Sequence, residues 1–414
     1  MSAAVLAIGT EITRGEIVNT NANWLADALV EVGLEVTAME AIPDDAALIV
    51  ETLRRLSERH RVIMCTGGLG PTTDDITSEC VAKLLGVPLQ RDAESLEAIR
   101  ARMASFGRSM ATSNEKQADF PEGATVIANR KGTAPGFAID IAAARAFFMP
   151  GVPREMKTMF REAVMPELAA QVSERIVQIR LKTFGMPESA VNDRLAGIES
   201  VHGVVLAYRA HFPEIEVKVM ARDAHAEIAA ARARKAADVV RERLGDDVVY
   251  GEGDVTFAQA LGELLVARQM RIGTAESCTG GMIGEVLTER GGASDFYVGG
   301  IVSYANAVKT RQLAVSEALL EARGAVSAEV ARAMAQGALS ALDVDVAVAT
   351  TGIAGPSGGS ADKPVGLVHF AVATRDGVSD RQMRFPGSRE QVRRLASFAA
   401  LALVRSVLRH GHRD

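Results

Sequence analysis

Aromatic residues are scarce in this 414-residue chain: 4% of positions, with a single tryptophan, Trp24, and four tyrosines. Single-stranded nucleic acid is usually held on stacked aromatic side chains lining a basic groove, and the sequence offers neither. Positive charge is not in excess either. The chain has 46 lysines and arginines against 52 carboxylates, a net charge of -6, which argues against a generic nucleic-acid or anionic-membrane surface. Cysteine is sparse: Cys65, Cys80 and Cys278 have no metal-type spacing and cannot all pair, which suits a reducing compartment. No apolar run is long enough to cross a bilayer, and the one around Phe398 to Val404 is flanked by arginines. The opening residues Met1-Ser2-Ala3-Ala4-Val5 carry no basic segment and no long apolar stretch, so no secretion signal is expected. The expectation is a soluble, cytoplasmic protein with no nucleic-acid and no membrane partner.

The length suffices for two or three separate cores. Over 1–170, short apolar runs alternate with helical periodicity, the pattern of a parallel α/β sheet. Strands are expected at 5–8, 34–42, 62–66 and 146–149, and helices at 21–32, 46–56 and 154–160. Over 171–252 the texture changes. Period-two alternation at 175–184 and 215–220, beside helices at 189–195 and 224–244, indicates a small α+β module. Gly251-Glu252-Gly253-Asp254 reads as a linker. Over 253–414, strands at 271–275, 298–303, 344–350 and 367–373 alternate with helices, the last at 389–409. The expected class is α/β in three segments, with no internal repeat.

Within 253–414 a single octapeptide stands out, Thr274-Ala275-Glu276-Ser277-Cys278-Thr279-Gly280-Gly281. A strand leads in, a helix leads out, and paired glycines sit at the turn. Such a turn can lift a serine off the sheet edge with free backbone N–H groups beside it, or it can simply cap the helix. A serine hydroxyl needs a neighbouring base before it attacks anything. Histidine is poorly placed for that role: His369 lies in an apolar strand, and His410 and His412 fall near the C-terminus. Cys278, with no histidine to activate it, reads as a small buried neighbour rather than a second nucleophile.

Within 1–170, polar residues gather after the strands, where open parallel sheets bind ligands. These are Gly9-Thr10-Glu11, Asn19-Thr20-Asn21, Pro43-Asp44-Asp45 and the run from Thr66 to Asp75. The glycine loop Gly67-Gly68-Leu69-Gly70-Pro71 can cradle phosphate in principle, but it lacks the Walker lysine and the dinucleotide spacing. Asp74-Asp75 alone reads as a helix cap. Together with the other acidic strand ends it suits a divalent cation bridging phosphate oxygens.

Gly9-Thr10-Glu11, Asn19-Thr20-Asn21, the Thr66 to Asp75 run and Pro150-Gly151-Val152-Pro153-Arg154-Glu155-Met156 resemble the molybdopterin-binding-like domain of the CinA (competence/damage-inducible) family. The octapeptide, Ser303-Tyr304-Ala305-Asn306-Ala307-Val308-Lys309, Thr351-Gly352-Ile353-Ala354-Gly355-Pro356 and Lys363-Pro364-Val365-Gly366 resemble that family's C-terminal amidase domain. The resemblance runs through the whole chain in order. It implies a molybdopterin-binding-like three-layer α/β domain over 1–170, a KH-like α+β module over 171–252 that helps pair two subunits into a homodimer, and an α/β amidase domain over 253–414.

The resemblance further implies deamidation of nicotinamide mononucleotide in the C-terminal domain without a metal. Ser277 is then the nucleophile and Lys309 its base, with Tyr304 and Arg389 as polar partners. Thr279, Gly280, Gly281, Asn306, Thr351, Gly352 and Gly355 fall at substrate-binding positions. Thr351 and the 355–360 loop are read as holding ribose or phosphate, or else the loop is a flexible hairpin. For the N-terminal domain the resemblance implies an ADP-ribose pyrophosphatase using Mg, Mn or Co. Glu11, Asn21, Gly67, Gly68, Gly70, Thr72, Pro150 and Gly151 would then meet the nucleotide, and Asp44, Asp74 and Asp75 the metal. The middle module has no G-x-x-G loop, so RNA binding is not expected. The rival reading is a nucleotide- or pterin-binding accessory protein serving competence or the DNA-damage response.

Overall fold

A computed structural model describes residues 2–107 and 109–412. The chain divides into two units: residues up to Val177 with Ala221–Ala230, and Gln178–Met220 with the residues from Ala231 onward. Among the described residues no helix is long and apolar enough to cross a membrane.

The apolar runs of the first unit become a sheet buried on both faces. Its leading elements are β1 (Ser2–Ile8), α1 (Thr20–Val32), β2 (Glu35–Ile42), α2 (Ala46–Arg59), β3 (Val62–Thr66) and α3 (Thr77–Leu85). After an intervening region come β4 (Thr125–Ile127), β5 (Gly136–Ile141), β6 (Ala144–Met149) and α4 (Pro153–Met159). The strand order is β2-β1-β3-β6-β5-β4. β1 runs parallel to β2 and β3, and β3 to β6. The sheet is nevertheless mixed rather than wholly parallel, because β5 and β6 are joined by a tight turn and must pair antiparallel. Helices α2 and α3 cover one face through Ile49, Leu53, Leu56 and Val81. Helices α1 and α4 cover the other through Leu25, Leu29, Met156 and Met159. The result is three layers. Asn19 starts α1 by accepting from the Ala22 N–H, and Gly33, at φ +107°, ends it.

The small α+β module contributes β7 (Arg175–Thr183), α5 (Glu188–Leu195), β8 (Val205–His211), β9 (Glu214–Asp223), α6 (Ala226–Leu244) and β10 (Val249–Glu252). Its sheet has the order β8-β9-β7-β10. In the second unit this module and the C-terminal domain share one core. Phe184 and Tyr250 pack on Phe257 with ring centroids 5.8 and 4.8 Å away, and Phe398 lies 5.7 Å from Phe257. Arg405 donates to the carbonyls of Asp246 and Val249, fastening the same junction.

The C-terminal domain runs α7 (Phe257–Ala267), β11 (Ile272–Glu276), α8 (Met282–Thr288), β12 (Tyr297–Val302), α9 (Asn306–Leu313), α10 (Ala328–Ala341), β13 (Val346–Gly352), β14 (Leu367–Thr374), β15 (Gly377–Arg384) and α11 (Arg389–His410). The order β12-β11-β13-β14-β15 places β11 between two parallel neighbours. β14 and β15 return antiparallel. Helices α7 and α11 bury one face of the sheet, and α10 buries the other with small residues such as Ala331, Ala335 and Ala338. The C-terminal end of β11 is where the octapeptide turns.

Candidate active sites

β11 delivers Glu276 and then Ser277 to the sheet edge. The Ser277 N–H donates 3.0 Å to the Thr350 carbonyl, which continues the strand pairing by one residue. Gly280 and Gly281 then adopt φ of +61° and +96°, a left-handed path that glycine takes without penalty. The side chain of Glu276, 1% exposed, crosses the turn. Its carboxylate accepts from Gly281 N–H (3.0 Å), Ile283 N–H (3.0 Å) and Gly284 N–H (2.9 Å). From α11, Arg393 grips the Thr279 carbonyl with Nε at 3.1 Å and Nη2 at 2.6 Å. The Thr279 and Thr350 hydroxyls meet at 2.8 Å. Ser277 itself, 9% exposed, sits on a turn braced from three sides.

Its partner is a lysine. Lys309, in the first turn of α9, is 1% exposed. Its Nζ lies 3.1 Å from Ser277 Oγ, 2.7 Å from the Ser303 carbonyl and 3.3 Å from the Tyr304 carbonyl. Burial pulls its pKa below the ordinary lysine value, because the interior penalises the charged form. A neutral amine has two N–H groups and one lone pair. When the amine is neutral and its two N–H groups stay on the carbonyls, the lone pair is left for the Ser277 hydroxyl. Neighbouring Cys278 is 6% exposed, and burial pushes its thiol up to about 12, so it carries little thiolate near neutral pH.

At the rim, Arg389 donates to the Gly355 carbonyl at 2.9 Å and to the Tyr304 hydroxyl at 3.2 Å. Tyr304, Asn306, Gly280 and Arg389 are exposed. Three of the expected substrate contacts are placed differently. The Gly281 N–H is taken by Glu276. The Thr279 side chain is wholly buried against Thr350. Thr351, 1% exposed, donates its hydroxyl 2.7 Å to the Ala325 carbonyl, because strand alternation turns it away from the neighbouring Thr350. Gly352 is half-buried and Gly355 buried, the latter contributing a carbonyl to Arg389. The histidines go elsewhere. His369 is buried on β14 with Nδ1 unpartnered, and the His412 ring bridges the hydroxyls of Thr374 (2.7 Å) and Ser379 (2.9 Å). Glu276 and Arg393 carry no signal of their role in sequence alone. Arg393 stands four residues after Arg389, one helical turn along the same face.

The first unit holds a second site, a cavity of about 490 Å³ at the ends of β1, β3 and β6. Of the expected nucleotide residues, Glu11, Asn21, Gly67, Gly68, Gly70, Pro150 and Gly151 line it and Thr72 does not. Asn21 Nδ2 donates to Thr66 Oγ1 (3.3 Å) and to the Gly151 carbonyl (2.6 Å), and Thr66 Oγ1 donates to the Pro150 carbonyl (3.1 Å). The Asn21 Oδ1 is buried with no partner. Gly67, at φ +107°, comes so close to β1 that an added Cβ would lie 1.9 Å from the Ile8 carbonyl oxygen; no other residue fits.

Asp44, Asp74 and Asp75, the expected metal residues, also line the cavity, but each is held by a threonine. Asp44 accepts from Thr10 N–H and Oγ1 at 2.8 and 2.9 Å. Asp74 and Asp75 both accept from the Thr72 hydroxyl, which holds the Asp74 carboxyl below its usual range. Among the described residues no three ligand-type side chains gather as a preformed metal cage.

Residues 254–408 match the CinA C-terminal domain, 4–170 a probable molybdopterin binding domain, and 178–251 the damage-inducible protein CinA KH domain. A CinA-like protein of Anaeromyxobacter dehalogenans is 42% identical over 414 residues, covering 99% of this chain and 100% of its own length. Another, from Geobacter sulfurreducens, is 41% identical over 408 residues, covering 98% of each. Among solved structures, a competence-damaged protein (CinA) superfamily protein of Escherichia coli is 39% identical, with a TM-score of 0.36, over 36% of this chain and 88% of its own. The chain belongs to the CinA family, and its fold is α/β with a molybdopterin-binding-like N-terminal domain, a small KH-like module and an α/β C-terminal domain.

Proposed function

We propose that the C-terminal domain is an amidase that converts nicotinamide mononucleotide to nicotinate mononucleotide and ammonia. The observation that carries this reading is the buried Lys309 amine 3.1 Å from Ser277 Oγ, with two carbonyls fixing its orientation. In the reaction Ser277 Oγ attacks the carboxamide carbon while its proton passes to Lys309 Nζ. Collapse of the tetrahedral adduct breaks the C–N bond, and Lys309 returns the proton to the departing ammonia. Water then adds to the ester with Lys309 again accepting a proton, and nicotinate mononucleotide leaves with Ser277 restored. Tyr304 and Arg389 at the rim suit the ribose phosphate, which the buried turn cannot reach. Supplying nicotinamide mononucleotide to the full-length protein tests this: equimolar nicotinate mononucleotide and ammonia are expected, and no ammonia above the enzyme-free rate contradicts it.

The N-terminal cavity supports a second activity, hydrolysis of ADP-ribose to AMP and ribose 5-phosphate. Five carboxylates, Glu11, Asp44, Asp74, Asp75 and Glu155, line it, and among the described residues no lysine or arginine does. A pyrophosphate placed there would be repelled unless a cation accompanied it. Hard divalent ions of the magnesium type need only one or two carboxylates when phosphate oxygens and water complete the sphere, so the oxygen-rich lining fits such an ion without a preformed cage. Asp44, Asp74 and Asp75 are the residues that would hold it, and the ion would neutralise charge on the pyrophosphate. The unpartnered Asn21 Oδ1 is an acceptor for a ribose hydroxyl or a nucleobase N–H.

A further inference from the structure

Glu276 has no role in the chemistry described, yet both reacting groups are tied to it. It directly precedes Ser277. Its carbonyl accepts from the Ser303 N–H at 2.7 Å, and the Ser303 carbonyl accepts from Lys309 Nζ at 2.7 Å. Its buried carboxylate bonds to the amides of Gly281, Ile283 and Gly284. A buried charge is costly unless hydrogen bonds replace its hydration, and these partners are amides of the segment that follows the turn. The side chain therefore closes a ring across residues 277–280, fixing the end of β11 against the start of α8. Any substrate contact at the rim, through Tyr304, Arg389 or Asn306, lies outside that ring.

We propose that Glu276 is a positioning residue that sets the turnover rate by holding the Ser277 turn against Lys309, while substrate capture is left to the rim. The inference rests on the reading of Ser277 as a nucleophile. Displacing a reacting group by about 1 Å lowers a rate by on the order of 100-fold, so a lost brace should appear in kcat rather than in KM.

The test measures ammonia release from nicotinamide mononucleotide by the full-length protein and its variants Glu276→Ala, Glu276→Gln and Ser277→Ala. Glu276→Ala should lose about 100-fold in kcat with little change in KM. Glu276→Gln keeps one acceptor oxygen but sets an NH2 group against the remaining amide donors, so it should recover some of the loss. The proposal stands if kcat falls by more than KM rises, and fails otherwise. Should Glu276→Ala not fold, the same criterion applied to Glu276→Gln decides. An inactive Ser277→Ala beside a fully active Glu276→Ala would remove this proposal alone, whereas an active Ser277→Ala would remove the nucleophile reading beneath it.

Discussion

Arg389 donates to the Tyr304 hydroxyl across 3.2 Å, joining the first residue of α11 to the residue whose carbonyl accepts from Lys309. The same guanidinium holds the Gly355 carbonyl, so one exposed side chain organises the mouth over a buried dyad. Arg389→Ala should therefore raise KM for nicotinamide mononucleotide by roughly tenfold, the scale of one charge-assisted contact, with a smaller change in kcat. Tyr304→Phe, which removes only the hydroxyl, should have a weaker effect in the same direction. Steady-state kinetics decide; a loss confined to kcat would place Arg389 in the chemistry instead.

Lys309→Met should abolish deamidation, since the serine then has no base. On the proposed mechanism the neutral amine is the active form, so kcat/KM should rise with pH. Burial lowers the lysine pKa, which puts the midpoint of that rise below the ordinary value. The sign for stability follows from the same shift. The unfolded chain keeps this proton to higher pH than the folded one, so the folded state gains stability as pH rises between the two values. A pH profile unchanged in a still-active Lys309→Met variant would remove the lysine from the mechanism.

For the N-terminal cavity, ADP-ribose hydrolysis should require a divalent ion, cease with a chelator and return when the ion is restored. Asp75→Ala should abolish it and leave ammonia release untouched, because Asp75 lies in the other unit from Ser277. Hydrolysis that persists under both treatments would contradict the metal–carboxylate reading.

What the sequence made legible is what local pattern encodes. The buried run at Val62–Thr66 and the octapeptide's strand–turn–helix follow from apolar spacing and paired glycines. The edge strand Gly377–Arg384 carries no such signal: its run of Ser379, Asp380, Arg381 and Gln382 is polar, and it is a strand because β14 pairs with it. The braces at Glu276 and Arg393 were equally hidden. Arg393 reaches a carbonyl 114 residues away in sequence, while the Glu276 carboxylate meets the nearby amides of Gly281, Ile283 and Gly284 only because the turn folds back over it. The orientation of Thr351 is hidden for a related reason, since adjacent strand residues face opposite ways and only the fold shows that its hydroxyl goes to the Ala325 carbonyl.

The shared aromatic core gives a stability prediction. Phe257, 2% exposed, touches rings from both the KH-like module and α11. Phe257→Ala should destabilise the second unit by about 3–5 kcal/mol, the range for large-to-small core changes. Denaturant unfolding measures it; a change below about 1 kcal/mol would mean the module and the domain do not depend on this contact.

Ser277, activated by Lys309, is the proposed nucleophile. Ammonia release from nicotinamide mononucleotide by purified Ser277→Ala, beside wild type at saturating substrate, tests it most directly. The expected result is a loss of at least about a thousandfold in kcat with unchanged thermal unfolding, the scale seen when a nucleophile is removed. Turnover within about tenfold of wild type would contradict it.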